Sequence, residues 1–497
     1  MRCVSVLAAA LATVVFCFSP SAPCDASASS VQSAPRLLKV VALSRHGVRA
    51  PTQSPETLLA WGSNDWPVWN VAPGNLTKRG AALIEGEWTG LRETLAFNGL
   101  LPASECPPKG SVFIYADNEE RTLATAGAML DGLAPGCGMI VASSSRTQDP
   151  LFHPVQGGLM PSPVLSAGEK ADLAEELAGV RADMDRRMAE LSAILGAASP
   201  RLCPPGESSC TLSEIPTSLV FPCSGSREGV TLRGGLAIAS SAAEVLLLES
   251  LEWPQRSQII PAHIPVTQPK APGTPVEQKA REIILAPRSD RPGVMPLPFR
   301  PRWEPAPAEV SHGDILVNPS TALHLLPVHT RVQNALQRFP AIARQEGLPL
   351  LLFMTEALAG TSPVREANEA KLVILSGHDT NIVNIAGLLG LHWNNAPFPR
   401  DSTPPGSMLV FRLWDTPQGR MVQATFQCQT TAALLSTDEN VMAEASLRQE
   451  PLILPGSFAQ TPAGPGLPAD AFFSSVRAMA GKDLKNDLAV LFANQKP

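Results

Sequence analysis

Apolar positions along the chain follow two periodicities, and each predicts a different element. Residues 37–44 (LLKVVALS), 111–116 (SVFIYA), 371–376 (KLVILS) and 408–414 (MLVFRLW) are near-continuous apolar runs, as expected of strands buried on both faces in a mainly parallel sheet. Between them the spacing lengthens to three and four. Ile84, Trp88, Leu91 and Leu95 form one stripe behind Thr77, a residue suited to capping a helix. Leu173, Leu177, Val180, Met184, Met188 and Leu191 form a second, behind a Ser166/Glu169 pair that reads as a capping box. A third helix has Val328, Val332, Leu336 and Phe339 on one face. These stripes are core faces, and strands alternating with helices place the chain in the α/β class. From 254 to 307 there are 13 prolines in 54 residues, which rules out continuous helix or central strand and predicts a long irregular excursion. No internal repeat is present.

The amino end follows neither pattern. Arg2 precedes a 15-residue apolar run, 4–18, then Pro20 and Ala26-Ser27-Ala28, which reads as a secretory signal cleaved after Ala28. The run falls short of the roughly 20 residues that span a bilayer. Length and composition narrow the rest. A chain of 497 residues builds two or three domains, or one large domain with an insertion. With 44% apolar and 17% charged residues and a net charge of −6, it is neither a solvated tail nor a basic protein that coats nucleic acid. Six cysteines lie beyond the signal: Cys106, Cys137, Cys203, Cys210, Cys223 and Cys428. They lack the paired spacing of a zinc site and suit disulfides in an oxidising compartment, Cys203 and Cys210 being close enough for a local staple.

Chemistry concentrates at the ends of the apolar runs. Arg45-His46-Gly47-Val48-Arg49-Ala50-Pro51 follows the first of them, at the carboxyl end of a parallel strand, where open α/β sheets bind their ligands. Two guanidinium forks and an imidazole there suit an anion, phosphate above all; Gly47 lets the backbone approach closely and Pro51 stops the strand. Ser376-Gly377-His378-Asp379-Thr380-Asn381 ends another run, and Asp117-Asn118-Glu119-Glu120-Arg121-Thr122 ends a third. A His-Asp pair or a lone arginine is commonly a helix-start residue, but three such groups at three strand ends read as parts of one site.

These motifs, together with Asp65-Trp66-Pro67-Val68-Trp69, Leu76-Thr77-Lys78-Arg79-Gly80, Asp149-Pro150-Leu151-Phe152 and Thr403-Pro404-Pro405-Gly406, resemble the histidine acid phosphatases, and within them the bacterial periplasmic phytase and glucose-1-phosphatase branch. The likeness runs from about 36 to about 435, interrupted by the proline-rich stretch. It implies a mainly parallel sheet flanked by helices, phosphoglycerate-mutase-like, with a largely helical inserted domain. The corresponding division is 1–28 signal, 36–155 first part of the α/β domain, 156–253 helical insertion, 254–310 excursion, 311–435 second part and 436–497 carboxyl-terminal extension.

The resemblance implies that His46 is the nucleophile and Asp379 the general acid, with Arg45, Arg49, Arg121 and His378 as the phosphate clamp. Thr52 and Thr380 match substrate contacts, and Arg338 and Glu244 match pocket positions outside the clamp. Cys106–Cys137 and Cys203–Cys210 match family disulfides, leaving Cys223–Cys428 by elimination. No cofactor or metal is expected, since the arginines already supply positive charge. The expected partner is a small phosphomonoester rather than nucleic acid or, once the signal is removed, a membrane; the expected location is the periplasm or outside the cell. Two other readings share parts of the pattern: a phosphoglycerate-mutase-like phosphotransferase, and a non-catalytic phosphate binder that would have lost His46, His378 or Asp379. Three departures stand out. Gln53 occupies a place where phytases of the branch carry a lysine, the excursion is long, and the carboxyl-terminal end lacks cysteines.

Overall fold

Each of the four apolar runs becomes a strand, and the helical stripes pack over them. The computed structural model describes residues 34–223, 225–255, 315, 317–437, 447–462 and 464–493. The expected signal segment, and the proline-rich excursion apart from 254 and 255, lie outside the described residues. The first part of the chain holds β1 (Arg36–Arg45), α1 (Pro55–Trp61), α2 (Lys78–Phe97), β2 (Val112–Ala116), α3 (Glu120–Leu133) and β3 (Ala142–Ser143). A largely helical stretch follows: α4 (Ala167–Leu195), a hairpin of β4 (Ser218–Val220) and β5 (Thr231–Arg233), α5 (Gly235–Glu252), α6 (Pro319–Leu325) and α7 (Pro327–Gln337). The chain returns through α8 (Pro340–Ala359), α9 (Arg365–Glu369), β6 (Leu372–Gly377) and α10 (Asp379–Leu389). It then forms β7 (Met408–Thr416), β8 (Gly419–Gln429), α11 (Thr431–Leu435), β9 (Leu447–Leu452), β10 (Ala459–Thr461), β11 (Gly464–Pro468) and a helical segment, Ala469–Ala493, kinked at Gly481.

The sheet order is β10-β11-β8-β7-β1-β6-β2-β3, with β9 also paired to β8. β1, β6, β2 and β3 run parallel. The run at 408–414 joins this parallel core the other way round, since β7 is antiparallel to β1 and forms a hairpin with β8. A run buried on both faces carries no mark of direction, so its pattern fits either sense. The caps form as expected: Thr77 Oγ1 accepts from Gly80 N at 2.8 Å, and Ser166 and Glu169 close a capping box. Leu173, Leu177, Val180 and Leu191 on α4 face Leu236 and Val245 on α5 and Val328 and Val332 on α7, forming an apolar core separate from the one beneath the sheet. At the far end Phe472, Phe473 and Val476 enter the sheet-side core, and Arg477 grips Glu356 with two hydrogen bonds of 2.8 and 2.9 Å. Packing thus holds an end that has no cysteine.

Disulfides join Cys106 to Cys137 and Cys203 to Cys210. The pairing of Cys223 with Cys428 is not formed. Cys223 is exposed, whereas Cys428 is buried inside β8, where burial pushes its thiol up to about 12. Elimination assumed that every thiol in an oxidising compartment pairs; a buried cysteine serves equally as a small apolar side chain.

One close approach ties the fold to the first motif. A Cβ on Gly80, in the first turn of α2, would lie 2.1 Å from Val48 O, and one on Gly47 would lie 2.9 Å from Gly80 O. The loop after β1 therefore lies backbone to backbone on α2, and Thr77 N–H donates to Val48 O at 3.0 Å. Gly80→Ala should destabilise the protein by roughly 2 kcal/mol or more, because backbone atoms have to move apart. Thermal unfolding checks this, and the displaced loop should lower turnover more than a surface alanine exchange does.

Candidate active site

β1, β6 and β2 end side by side, and their backbones are stitched together there. His46 N–H donates to Gly377 O at 3.0 Å and Asp117 N–H donates to Ser376 O at 3.0 Å. The loop before β7 closes over them, with Arg45 N–H on Ser407 O at 2.9 Å and Gly406 N–H on His46 O at 3.1 Å. All three strand-end motifs consequently meet in one place.

Arg45 and Arg49 are 2% and 7% exposed, so each needs a partner to offset the lost hydration. Arg45 donates to Thr403 O and to Glu244, and lies 3.1 Å from Asp379 Oδ2. Arg49 Nη2 lies 3.3 Å from both Glu244 oxygens. Glu244, expected outside the clamp, is thus its main counter-charge, delivered by α5 from the helical stretch. For Asp379, burial opposes ionisation, but the guanidiniums of Arg45, first, and Arg49 outweigh it and hold the carboxyl well below the usual carboxylate range. The free site keeps its charges balanced internally.

His46 sits between these groups. Its Nδ1 lies 2.9 Å from Gly47 O, an acceptor, so Nδ1 carries the proton and Nε2 the lone pair. Burial first, then the positive charges of Arg49, Arg45 and Arg121, hold the imidazole well below its usual range, leaving it neutral. The His378 ring stands edge-on to it, centroids 5.7 Å apart. His378 Nδ1 is 3.4 Å from Arg121 Nη2, and its Nε2 donates to Asp117 Oδ2 at 2.6 Å. Arg121 also pairs with Glu119.

Of the remaining expected residues, Thr380 opens α10 with its N–H on Asp379 Oδ1 at 2.7 Å. Thr52 is exposed and flanks Gly74 opposite Arg121: a Cβ on Gly74 would lie 3.6 Å from Thr52 and 3.7 Å from Arg121 Nη1. The contacts of Arg338 lie elsewhere, with Asn334, Leu391 O, Asp401 and the Trp393 ring. Two histidines that bear on the site were not singled out in the sequence. His153 donates to Asp117 Oδ2 at 2.9 Å and stands immediately after the Asp149–Phe152 motif. His329 on α7 has donor atoms within 4.8 Å of Glu244 and Asp379. Thr403 anchors Arg45 through its carbonyl. A lone histidine in a helix carries no pattern, and a carbonyl contact is silent in sequence.

Two groups have donor sets of the kind that hold a metal: Asp117, Glu119, His153 and His378, and Glu244, His329 and Asp379. In both, the carboxylates already face imidazole N–H groups or guanidiniums, so the charge a cation would supply is present.

A neutral imidazole with a free Nε2, ringed by buried guanidiniums at the carboxyl ends of parallel strands, equips an enzyme for phosphoryl transfer through histidine. Comparison with known proteins agrees. The family model for the histidine phosphatase superfamily (branch 2) matches residues 36–176 and 326–427. The chain is 31% identical over 425 residues to the phytase AppA of Escherichia coli, covering 82% of this chain and 84% of that one. It is 27% identical to a glucose-1-phosphatase of Salmonella typhimurium, covering 78% and 80% respectively. The solved Hafnia alvei phytase in complex with tartrate matches at a TM-score of 0.68 and 28% identity, covering 91% of this chain and 99% of that one. The chain belongs to the histidine phosphatase superfamily, branch 2, and is a phosphatase.

Because Glu244 occupies Arg45 and Arg49, two of the groups expected to clamp phosphate, Glu244→Gln should tighten binding of inorganic phosphate by roughly threefold or more. The competitive inhibition constant of phosphate measures this. A weaker phosphate complex would instead assign Glu244 to holding the arginines in place.

Proposed function

We propose that the protein is an exported, metal-independent acid phosphatase that hydrolyses phosphomonoesters of polyols through a phosphohistidine on His46. The observation that carries the reading is the neutral, buried His46, its Nδ1 committed to Gly47 O and its ring within the influence of Arg49, Arg45, Arg121 and His378. Nε2 attacks phosphorus in line, the ester P–O bond breaks, and Asp379 gives its proton to the departing alcohol oxygen. Water then attacks the phosphohistidine, Asp379 takes up the water proton, and phosphate leaves. The guanidiniums stabilise the charge spread over the three equatorial oxygens.

Asp379 has to be protonated for the first step, and the free site disfavours that. Substrate reverses the balance. A bound phosphoryl group takes over Arg45 and Arg49 and sets negative charge beside Asp379, which raises its pKa. An ester monoanion also brings the required proton with it.

Relatives named phytase and glucose-1-phosphatase, and the Hafnia alvei phytase solved with myo-inositol hexakis sulphate, support inositol and sugar phosphates as substrates. Neutral Gln53 favours esters that carry fewer phosphates than the hexakisphosphate, since a cation for a second phosphate is missing there. Export is supported by the segment 1–28 and by two disulfides. Among the described residues no helix is long and apolar enough to cross a membrane.

His46→Ala should lower kcat by at least about 1,000-fold. Wild-type turnover in that variant refutes the nucleophile. Asp379→Asn should damage hydrolysis of esters with poor leaving groups far more than that of p-nitrophenyl phosphate, and equal losses refute the acid. Activity should survive excess chelator. On the pH axis, the second ionisation of a phosphate monoester is at about 6, so kcat/KM for poor leaving groups should fall steadily above that value. A profile that rises from pH 6 to 8 would contradict a proton delivered with the substrate.

A further inference from the structure

Asp117, the residue after β2, is fully buried, and two imidazoles from different parts of the chain converge on one of its oxygens. His378 Nε2 and His153 Nε2 lie 2.6 and 2.9 Å from Asp117 Oδ2, with their ring centroids 5.1 Å apart. A carboxylate oxygen accepts, so each Nε2 carries its proton. The other nitrogen of His378 faces Arg121 Nη2 at 3.4 Å, a group that only donates. In the free protein Nδ1 is therefore bare. A bare nitrogen cannot hold a phosphoryl oxygen; His378 has to take a second proton and become an imidazolium, and both imidazoles would then draw on the same carboxylate.

We propose that His153 is a positioning residue that, by sharing Asp117 with His378, sets the pH at which His378 takes its second proton and grips the phosphoryl group. This rests on the reading of His378 as part of the clamp. The charged and titratable groups around His153 come from several elements. They are Asp117 and Glu119 after β2, with Glu119 Oε1 4.0 Å from Nε2, Asp149 on its own turn, Glu346 on α8, and His378 before α10. Burial lowers His153, but Asp117, Glu119 and Asp149 outweigh it and raise it. Burial also lowers His378; its bond to Asp117 works the other way, while His153 and Arg121 lower it further. As pH falls, His153 charges first, and His378 waits for a phosphate dianion to supply the negative charge it lacks. Phosphate binding should then take up a proton.

The sign of the effect is fixed. A positive His153 disfavours a positive His378, so a neutral side chain in its place lets His378 stay charged to higher pH. His153→Asn keeps an N–H for Asp117 and loses the charge; His153→Gln does the same with a longer reach; His153→Ala loses both. Calorimetry of inorganic phosphate binding in two buffers of different ionisation enthalpy gives the proton uptake at each pH. In the Asn and Gln variants the midpoint of uptake should move up by about half a unit to one unit. His153→Ala should in addition lose kcat, and Asn should restore part of that loss, because the N–H that steadies Asp117 returns. A wild-type midpoint in both the Asn and Gln variants, or a midpoint shifted down, overturns the proposal. If His46→Ala keeps its turnover, the reading of the site itself has failed; if His46 is essential and the midpoint does not move, only the role of His153 has.

Discussion

Two guanidinium groups held almost out of water, at the end of one strand and in the loop after it, are the constraint the rest of the site obeys. Removing a charge from water costs several kcal/mol unless a partner compensates, and Arg45 and Arg49 lie close enough together to compound the need. The free protein meets it with Glu244 and Asp379, one from the helical stretch and one from the second motif. The same positive potential adds to burial in keeping the His46 imidazole neutral and, against burial, pushes Asp379 down. The proposed nucleophile and acid therefore both rest in protonation states that the arginines favour. In the proposed mechanism the substrate phosphoryl group displaces the carboxylates as counter-charge, so binding and activation of the acid become a single event.

The packing that serves this constraint is local and tight. The loop after β1 lies against α2 through Gly47 and Gly80, and the loop before β7 hydrogen-bonds to Arg45 and His46 through Ser407 O and Gly406 N–H. The backbones that carry both arginines are thus held by contacts independent of their side-chain partners. The family model matches the two sequence segments that build this frame and passes over 177–325, the stretch that supplies Glu244. One of the two counter-charges, Glu244, therefore comes from the part of the chain that the family model leaves unmatched, and the other, Asp379, from a matched segment.

Much of this was legible in the sequence because burial leaves a pattern. Strands sealed on both faces read as unbroken apolar runs, and the rule that ligands sit at the carboxyl ends of parallel strands was enough to bring His46 and His378 together. Helix caps at Thr77 and Ser166 were legible for the same reason, since an unsatisfied N–H demands a particular residue type. What escaped notice leaves no such pattern. The direction of β7 depends on its hairpin with β8, not on its composition. Cys428 is a thiol serving as an apolar side chain. Glu244 was named as a pocket position, but in AAEVLLLES it shares its helix with Glu249, and nothing in the pattern says which carboxylate meets a buried cation.

His153 and His329 show where sequence reading stops and geometry takes over. Each is a single histidine outside the two catalytic motifs, yet each lies beside a carboxylate already committed to the site: His153 on Asp117, and His329 near Glu244 and Asp379. The proposed clamp therefore has an imidazole and a carboxylate near each other on two sides, His153 with Asp117 beside His378, and His329 near Glu244 and Asp379. In the proposed mechanism a phosphoryl group brings negative charge beside both His378 and Asp379 at once. A higher proton affinity of His378 would strengthen the grip on phosphate, and a higher one of Asp379 would ready the leaving-group proton. On that mechanism one charge drives binding and chemistry in the same direction, because ionisable groups stand on both sides of a buried cationic centre.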